Sequence, residues 1–139
     1  MQEIQYEQVT TAPVEAIIEL YKAGGWWSGS RRARRVIPDM IRGSFCFMLA
    51  RDGSRRIIAM ARVISDGASD AYIQDVVVLE NYRHHGIGRE LIRRLTRFCV
   101  ERGIEWIGLV AEPGTQEFYN SLGFGELEGY RAMLYAKDV

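Results

Sequence analysis

Apolar positions change period several times along these 139 residues, and each change marks an element. Ile4 to Val9 reads as a first strand. Pro13 opens a helix over Val14 to Lys22, with Ile17, Ile18 and Tyr21 at helical spacing and Gly24-Gly25 as its stop. After Trp26 and Trp27, Ser30 to Ile41 predicts a second helix whose apolar side is Val36, Ile37, Met40 and Ile41, preceded by Arg31, Arg32, Arg34 and Arg35. Ser44 to Arg51 and Arg55 to Ser65 are β-type runs joined by Asp52-Gly53, a hairpin signal, so they should pair antiparallel.

Past the Asp66-Gly67 turn, Ala71 to Leu79 carries three consecutive valines, which suits a central strand covered on both faces. From Gly86 to Arg102 the residues Ile87, Leu91, Ile92, Leu95, Phe98 and Cys99 fall on one helical face, with Gly103 as the stop. Trp106 to Ala111 reads as a buried strand and Thr115 to Leu122 as a short helix. Phe124 to Leu127 and Arg131 to Ala136 read as closing strands. The expected fold class is α/β (α+β): a mixed, mostly antiparallel sheet of about six to seven strands flanked by helices.

Length and composition narrow the field. No repeat, low-complexity tract or linker divides the chain, so residues 1–139 read as a single domain with enough apolar content, 47%, for a core. Eighteen basic and eighteen acidic residues cancel, which removes any global attraction to nucleic acid or an anionic membrane. No apolar run approaches the ~20 residues that span a bilayer, and MQEIQYEQ lacks the features of a signal peptide, so the expectation is a cytoplasmic protein. Cys46 and Cys99 sit in apolar segments outside any metal pattern and read as small core hydrophobes.

The segment that carries chemistry runs from Asp75 through VVVLENYRHHGIGREL, a strand passing through a basic turn into a helix. Such a turn presents unpaired N–H groups at a helix N-terminus, where a phosphate sits naturally. Gly86 and Gly88 admit a pyrophosphate close to the backbone, and Arg83 and Arg89 add positive charge. A Walker loop would need Gly-Lys-Ser/Thr where Gly88-Arg89-Glu90 stands, and a dinucleotide fingerprint would need a third glycine where Leu91 stands. What remains is Arg-x-x-Gly-x-Gly.

This segment resembles the acetyl-CoA-binding motif of the GNAT N-acetyltransferase superfamily, and the order of elements from Ile4 to Tyr135 resembles that family's fold. The resemblance implies that the N–H groups of His84, His85, Gly86, Ile87, Gly88 and Arg89 hold the CoA pyrophosphate, with Arg83 adding positive charge. It also implies that Val76, Val77 and Val78 pair with pantetheine on a strand that splays from its neighbour. Adjacent histidines are poorly placed to share a metal on a regular element, so His84 and His85 read as surface groups beside the phosphates, and no metal is expected.

Downstream, Phe118-Tyr119-Asn120-Ser121-Leu122-Gly123-Phe124 resembles the family's Phe-Tyr-x-x-x-Gly-Phe motif, which implies Tyr119 as general acid toward the CoA thiolate. Glu112-Pro113-Gly114-Thr115 departs from the asparagine common before that helix, which puts one CoA contact in question. The acidic base of histone-acetylating members would fall at Tyr72 and is therefore missing. Asp75 is the candidate base, with a structural strand-end role as its rival, and an ordered water chain would serve equally. By strict alternation Tyr72, Gln74 and Val76 share one strand face, Ile73 and Asp75 the other.

The family's acceptor pocket corresponds here to the region holding Tyr21, Trp26, Trp27 and the arginine run, so Trp26 and Trp27 are candidate substrate contacts. The expected activity is acetyl transfer to a primary amine by direct attack in a ternary complex. A non-catalytic acyl-CoA-binding or protein-interaction module is the alternative, and a homodimer is possible. The identity of the amine and the task of Arg31–Arg35 are left open by the sequence.

Overall fold

The computed structural model describes residues 3–136, in two compact units that divide after Leu109. The first opens with strand β1 (Gln5–Gln8), then helices α1 (Val14–Ala23) and α2 (Arg31–Gly43), strands β2 (Cys46–Arg51), β3 (Ile57–Ser65) and β4 (Asp70–Val78), helix α3 (Ile87–Glu101) and strand β5 (Trp106–Leu109). The second holds one short helix, α4 (Gln116–Asn120).

The helix boundaries follow local chemistry. Pro13 precedes α1, where its fixed φ suits a helix start. The Ser30 hydroxyl accepts from the Ala33 N–H and caps α2. At the far end of α3, Gly103 takes φ 81°, and the Gly103 and Ile104 N–H groups return to the Val100 and Cys99 carbonyls.

The strands form one sheet in the order β1-β2-β3-β4-β5, antiparallel except for the parallel β4–β5 pair. The expected mixed α/β fold is therefore present, with five strands among the described residues rather than six or seven. Cross-strand register places Leu49, Met60 and Val77 on one face and Cys46, Val63 and Ile73 on the other. Helix α1 covers the first face and α3 the second, whose Cys99 lies near enough to Cys46 to influence its thiol. Ile17, Leu20, Leu91, Ile92 and Leu95 are fully buried, each contributing about 1.5–3 kcal/mol through removal from water.

Four expectations need correction. β4 is interior but not central, since β3 is the middle strand, and Val76 and Val78 are only half-buried because the β5 side of β4 is incomplete. β5 is not a buried strand: it is an edge of the sheet, and Trp106 is exposed. The 52–56 connection is a five-residue loop in which Arg55 adopts φ 71°, so the second run pairs as a strand only from Ile57 and not from Arg55. Neither Phe124–Leu127 nor Arg131–Ala136 is paired as a strand among the described residues, and Met133 and Leu134 are over nine-tenths exposed.

Candidate active site

β3 and β4 pair regularly from Ser65↔Ala71 to Arg62↔Gln74 and again at Met60↔Val77, so two residues of β4, Asp75 and Val76, oppose the single Ala61. This is a β-bulge, and it sits where strands commonly re-aim a side chain beside an active site. Asp75 takes φ 56° there, a left-handed conformation that Asp and Asn tolerate better than other side chains. Its Oδ2 accepts from Arg62 Nε at 2.7 Å and from the Tyr21 hydroxyl at 2.7 Å.

The bulge overturns the strict alternation expected of β4. Arg62 shares a face with its register partner Gln74, and Asp75 reaches Arg62 and Tyr21 of α1, so Asp75 lies with Gln74 and not with Ile73. The Arg62–Asp75 pair is largely enclosed, with one fifth or less of either side chain exposed. Burial, reinforced by the Asp75 charge, pushes the Tyr21 phenol far above its ordinary range, so it stays a donor. Asp75→Asn preserves left-handed tolerance and removes only the charge, and should destabilise the fold by about 1–2 kcal/mol. Asp75→Val adds a β-branched residue at positive φ and should cost clearly more; urea melts of the two variants give the order.

On its other side β4 pairs with β5 only from Asp70↔Trp106 to Ile73↔Leu109. The two strands diverge from Gln74 onward, which leaves the β5-facing edge of Val76, Val77 and Val78 without a partner strand among the described residues. The splay implied by the family resemblance is thus present, although the Val78 carbonyl already accepts from Arg83 Nε at 2.8 Å.

Between β4 and α3 the chain makes a 3-10 turn over Glu80–Tyr82. His84 at φ 67° and Gly86 at φ 81° then swing it abruptly into the helix. Gly86 occupies the cap position of α3, where no side chain caps the helix. The N–H groups of Ile87 and Gly88 fall in the first turn, where a helix supplies no partners of its own. The exposed loop therefore offers the positive end of a 15-residue helix to an anion.

Two side chains brace this loop. Arg83 bonds the Val78 carbonyl and reaches the Ala23 carbonyl at 3.3 Å, fastening β4 to the end of α1. Tyr82 donates to Asp52 Oδ2 at 2.6 Å, while Asp52 Oδ1 accepts from the Ser54 and Arg56 N–H groups and the Ser54 hydroxyl. Sequence reading assigned Asp52 only a turn role and missed this tie, because Tyr82 lies 30 residues away.

These donors, Tyr82 foremost, hold the Asp52 carboxyl down at about 2. A depressed folded-state value means the contribution is present above the unfolded value of 3.8 and is lost as pH falls toward 2. The stability gap between wild type and Asp52→Ala, measured by thermal melts, should therefore be constant from pH 7 to 5 and shrink below pH 4.

Trp26 lies across Gly24, where an added Cβ would come within 2.8 Å of its ring, and meets Tyr21 edge-on with centroids 6.1 Å apart. A continuous path thus runs from Trp26 through Tyr21 to Asp75 and Arg62. Trp27 is half-buried. The arginine run forms the first turns of α2, where Arg34 pairs with Glu15 of α1.

In the second unit Tyr119 packs its ring edge-on against Phe118 and Phe124, at 4.9 and 6.0 Å, and the Phe124 N–H returns to its carbonyl. The Phe-Tyr-x-x-x-Gly-Phe spacing is thus a local aromatic cluster closed at Gly123, where φ is 96°. Burial, then the Glu112 charge, raises the Tyr119 phenol above its ordinary value and keeps it protonated. Cys46 and Cys99 are buried and free, and burial pushes the Cys46 thiol up to about 11, so neither is a ready nucleophile. Among the described residues no three His, Cys, Asp or Glu side chains cluster as metal ligands, and no helix is long and apolar enough to cross a membrane.

The model of the acetyltransferase (GNAT) family matches residues 8–124. The chain belongs to the GNAT family. Histone acetyltransferase TAP1 of Glycine max is 42% identical over 82 residues, which are 58% of this chain and 36% of that protein, so the chain spans about a third of its length. Among solved structures, a GNAT-family protein from Streptococcus pneumoniae TIGR4 superposes with a TM-score of 0.81 at 24% identity, over 99% of this chain and all of that one. Aminoglycoside N-acetyltransferase AAC(6')-Iy, solved in complex with CoA, superposes with a TM-score of 0.77 at 20% identity, over 100% and 97% of the two chains. The likeness of fold to these solved structures extends over nearly the whole chain.

Proposed function

We propose that this protein moves the acetyl group of acetyl-CoA onto a primary amine, carried by a small molecule, an amino acid or a peptide or protein, by direct attack in a ternary complex. The observation that carries the reading is the unpaired edge of β4 beyond its bulge, leading into the uncapped N-terminus of α3 behind Gly86. Pantetheine amides pair with the Val76–Val78 edge, and the pyrophosphate takes the N–H groups from His84 to Arg89. The neutral amine nitrogen attacks the thioester carbon as a nucleophile and gives up one proton to water; a C–N bond forms, the C–S bond breaks, and the thiolate leaves with a proton from the Tyr119 hydroxyl, which water then restores. The carbonyl oxygen takes its negative charge beside the Val76 N–H, next to the bulge.

Asp75 serves this chemistry as a positioning group. Its Oδ2 is already shared by Arg62 and Tyr21, and its task is to hold the bulge that sets Val76. Arg83 likewise acts by bracing the loop. Isothermal calorimetry with acetyl-CoA, followed by a thiol-release assay over an amine panel, tests the reading. The expected result is micromolar binding, about −8 kcal/mol, with amine-dependent CoA release. A folded protein that ignores acetyl-CoA overturns it, and one that binds without any amine-dependent release supports the acyl-CoA-binding module instead.

A further inference from the structure

We infer that Tyr72 and Trp106 form a stacking platform for the acceptor, which selects primary amines carrying an aromatic ring on a flexible arm; the inference rests on the acetyltransferase reading and deepens it. Three large apolar side chains of the sheet stand exposed side by side: Ile64 at 41%, Tyr72 at 46% and Trp106 at 39%. Ile64 pairs with Tyr72 across β3 and β4, and Tyr72 pairs with Gly108, two residues beyond Trp106 on β5. The Tyr72 and Trp106 rings lie 5.1 Å apart, tilted by 56°. At Gly108 a Cβ would come within 2.6 Å of the indole, so the missing side chain is what lets Trp106 lie down beside Tyr72.

Position gives this strip its meaning. The β4–β5 ladder ends at Ile73↔Leu109, immediately after the Tyr72–Gly108 pair, and the strip shares the sheet face of Arg62, Gln74 and Asp75. Val76, beside which the acetyl carbonyl is placed, is four residues further along β4, about 13 Å at the rise of a strand. A ring resting on the platform therefore reaches the thioester only through an arm of several atoms. Two aromatic faces and an Ile side chain recognise a flat apolar body, and none of the three carries a charge that would hold a phosphate.

Covering bare glycine backbone at a sheet edge is an alternative task for Trp106, and it gives a different result. That role would move thermal stability without touching the choice of amine. The test compares 4-phenylbutylamine with n-hexylamine, amines of similar reach and basicity, in wild type, Trp106→Leu and Tyr72→Ala. Wild type should favour the aryl amine at least about tenfold in kcat/KM. Each variant should lose most of that preference through KM, while n-hexylamine turnover stays within about twofold and acetyl-CoA affinity is unchanged. Tyr72 is exposed, so its variant keeps the test sound if Trp106→Leu folds poorly.

Equal use of the two amines by wild type overturns the platform while leaving the acetyltransferase reading standing. So does a variant effect that falls equally on both amines, or an aryl preference that survives both substitutions. Turnover of neither amine by a protein that binds acetyl-CoA also overturns it. Failure to bind acetyl-CoA at all removes the acetyltransferase reading and the platform together.

Discussion

Gly86→Glu should abolish measurable acetyl-CoA binding while leaving the protein folded. At φ 81° a side chain carries about 1–2 kcal/mol of left-handed strain, and a Cβ at this position meets no atom within 4 Å, so nothing in the core is displaced. The carboxylate would stand at the uncapped end of α3, take the N–H groups that the pyrophosphate needs, and repel its charge. An affinity loss of at least about 100-fold, or 2.7 kcal/mol, is expected by calorimetry. Gly86→Ala separates strain from charge: its melting temperature should fall by about 4 °C with at most a few-fold loss of affinity. Equal binding by Gly86→Glu and wild type would remove the pyrophosphate from this turn.

Tyr119→Phe should lower kcat by about 10²–10⁴-fold, the range general acid catalysis supplies, with the Kd for acetyl-CoA unchanged. The ring contacts with Phe118 and Phe124 survive the substitution, so stability should hardly change. Because the phenol lies above its ordinary range, the wild-type rate should not lose its acid limb through pH 9. The sign follows from the protonated hydroxyl being the working form. An unchanged kcat in Tyr119→Phe would transfer the proton to water and leave the tyrosine as packing.

Elements with strong periodicity were legible from the sequence because one face of each had to be buried. Helix α3 emerged with nearly its full apolar face, Ile87, Leu91, Ile92, Leu95 and Cys99. The Gly86 turn was legible because glycine at a strand-to-helix passage and a following helix are both local. β5 was misjudged because WIGL has the composition of a core strand, and composition says nothing about which side of a sheet stays open. The closing strands were misjudged for the same reason: Met133, Leu134 and Tyr135 make an apolar run, but a strand exists only where a partner edge pairs with it.

The bulge had a sequence signal that went unread. An aspartate in the middle of a strand is unfavourable in a regular ladder, yet it suits a left-handed residue that steps out of one. The partners that hold it, Tyr21 and Arg62, lie 54 and 13 residues away, and no spacing rule connects them. The Tyr72–Trp106 pair was invisible for a similar reason, since its rings meet only through the β4–β5 register.

The extra residue in β4 also determines what kind of genetic change this strand can absorb. Before the bulge the even positions Tyr72 and Gln74 look toward the first two helices; after it, odd-numbered Val77 does. Losing one codon at Asp75 would set Val76 opposite Ala61 in an ordinary ladder and leave Val77 opposite Met60, so the strand beyond would keep its faces while Arg62 and Tyr21 lost their shared acceptor. A codon lost elsewhere in β4 would turn the residues on one side of it to the other face. Lineages carrying this fold should therefore tolerate a change of length in β4 at the bulge alone.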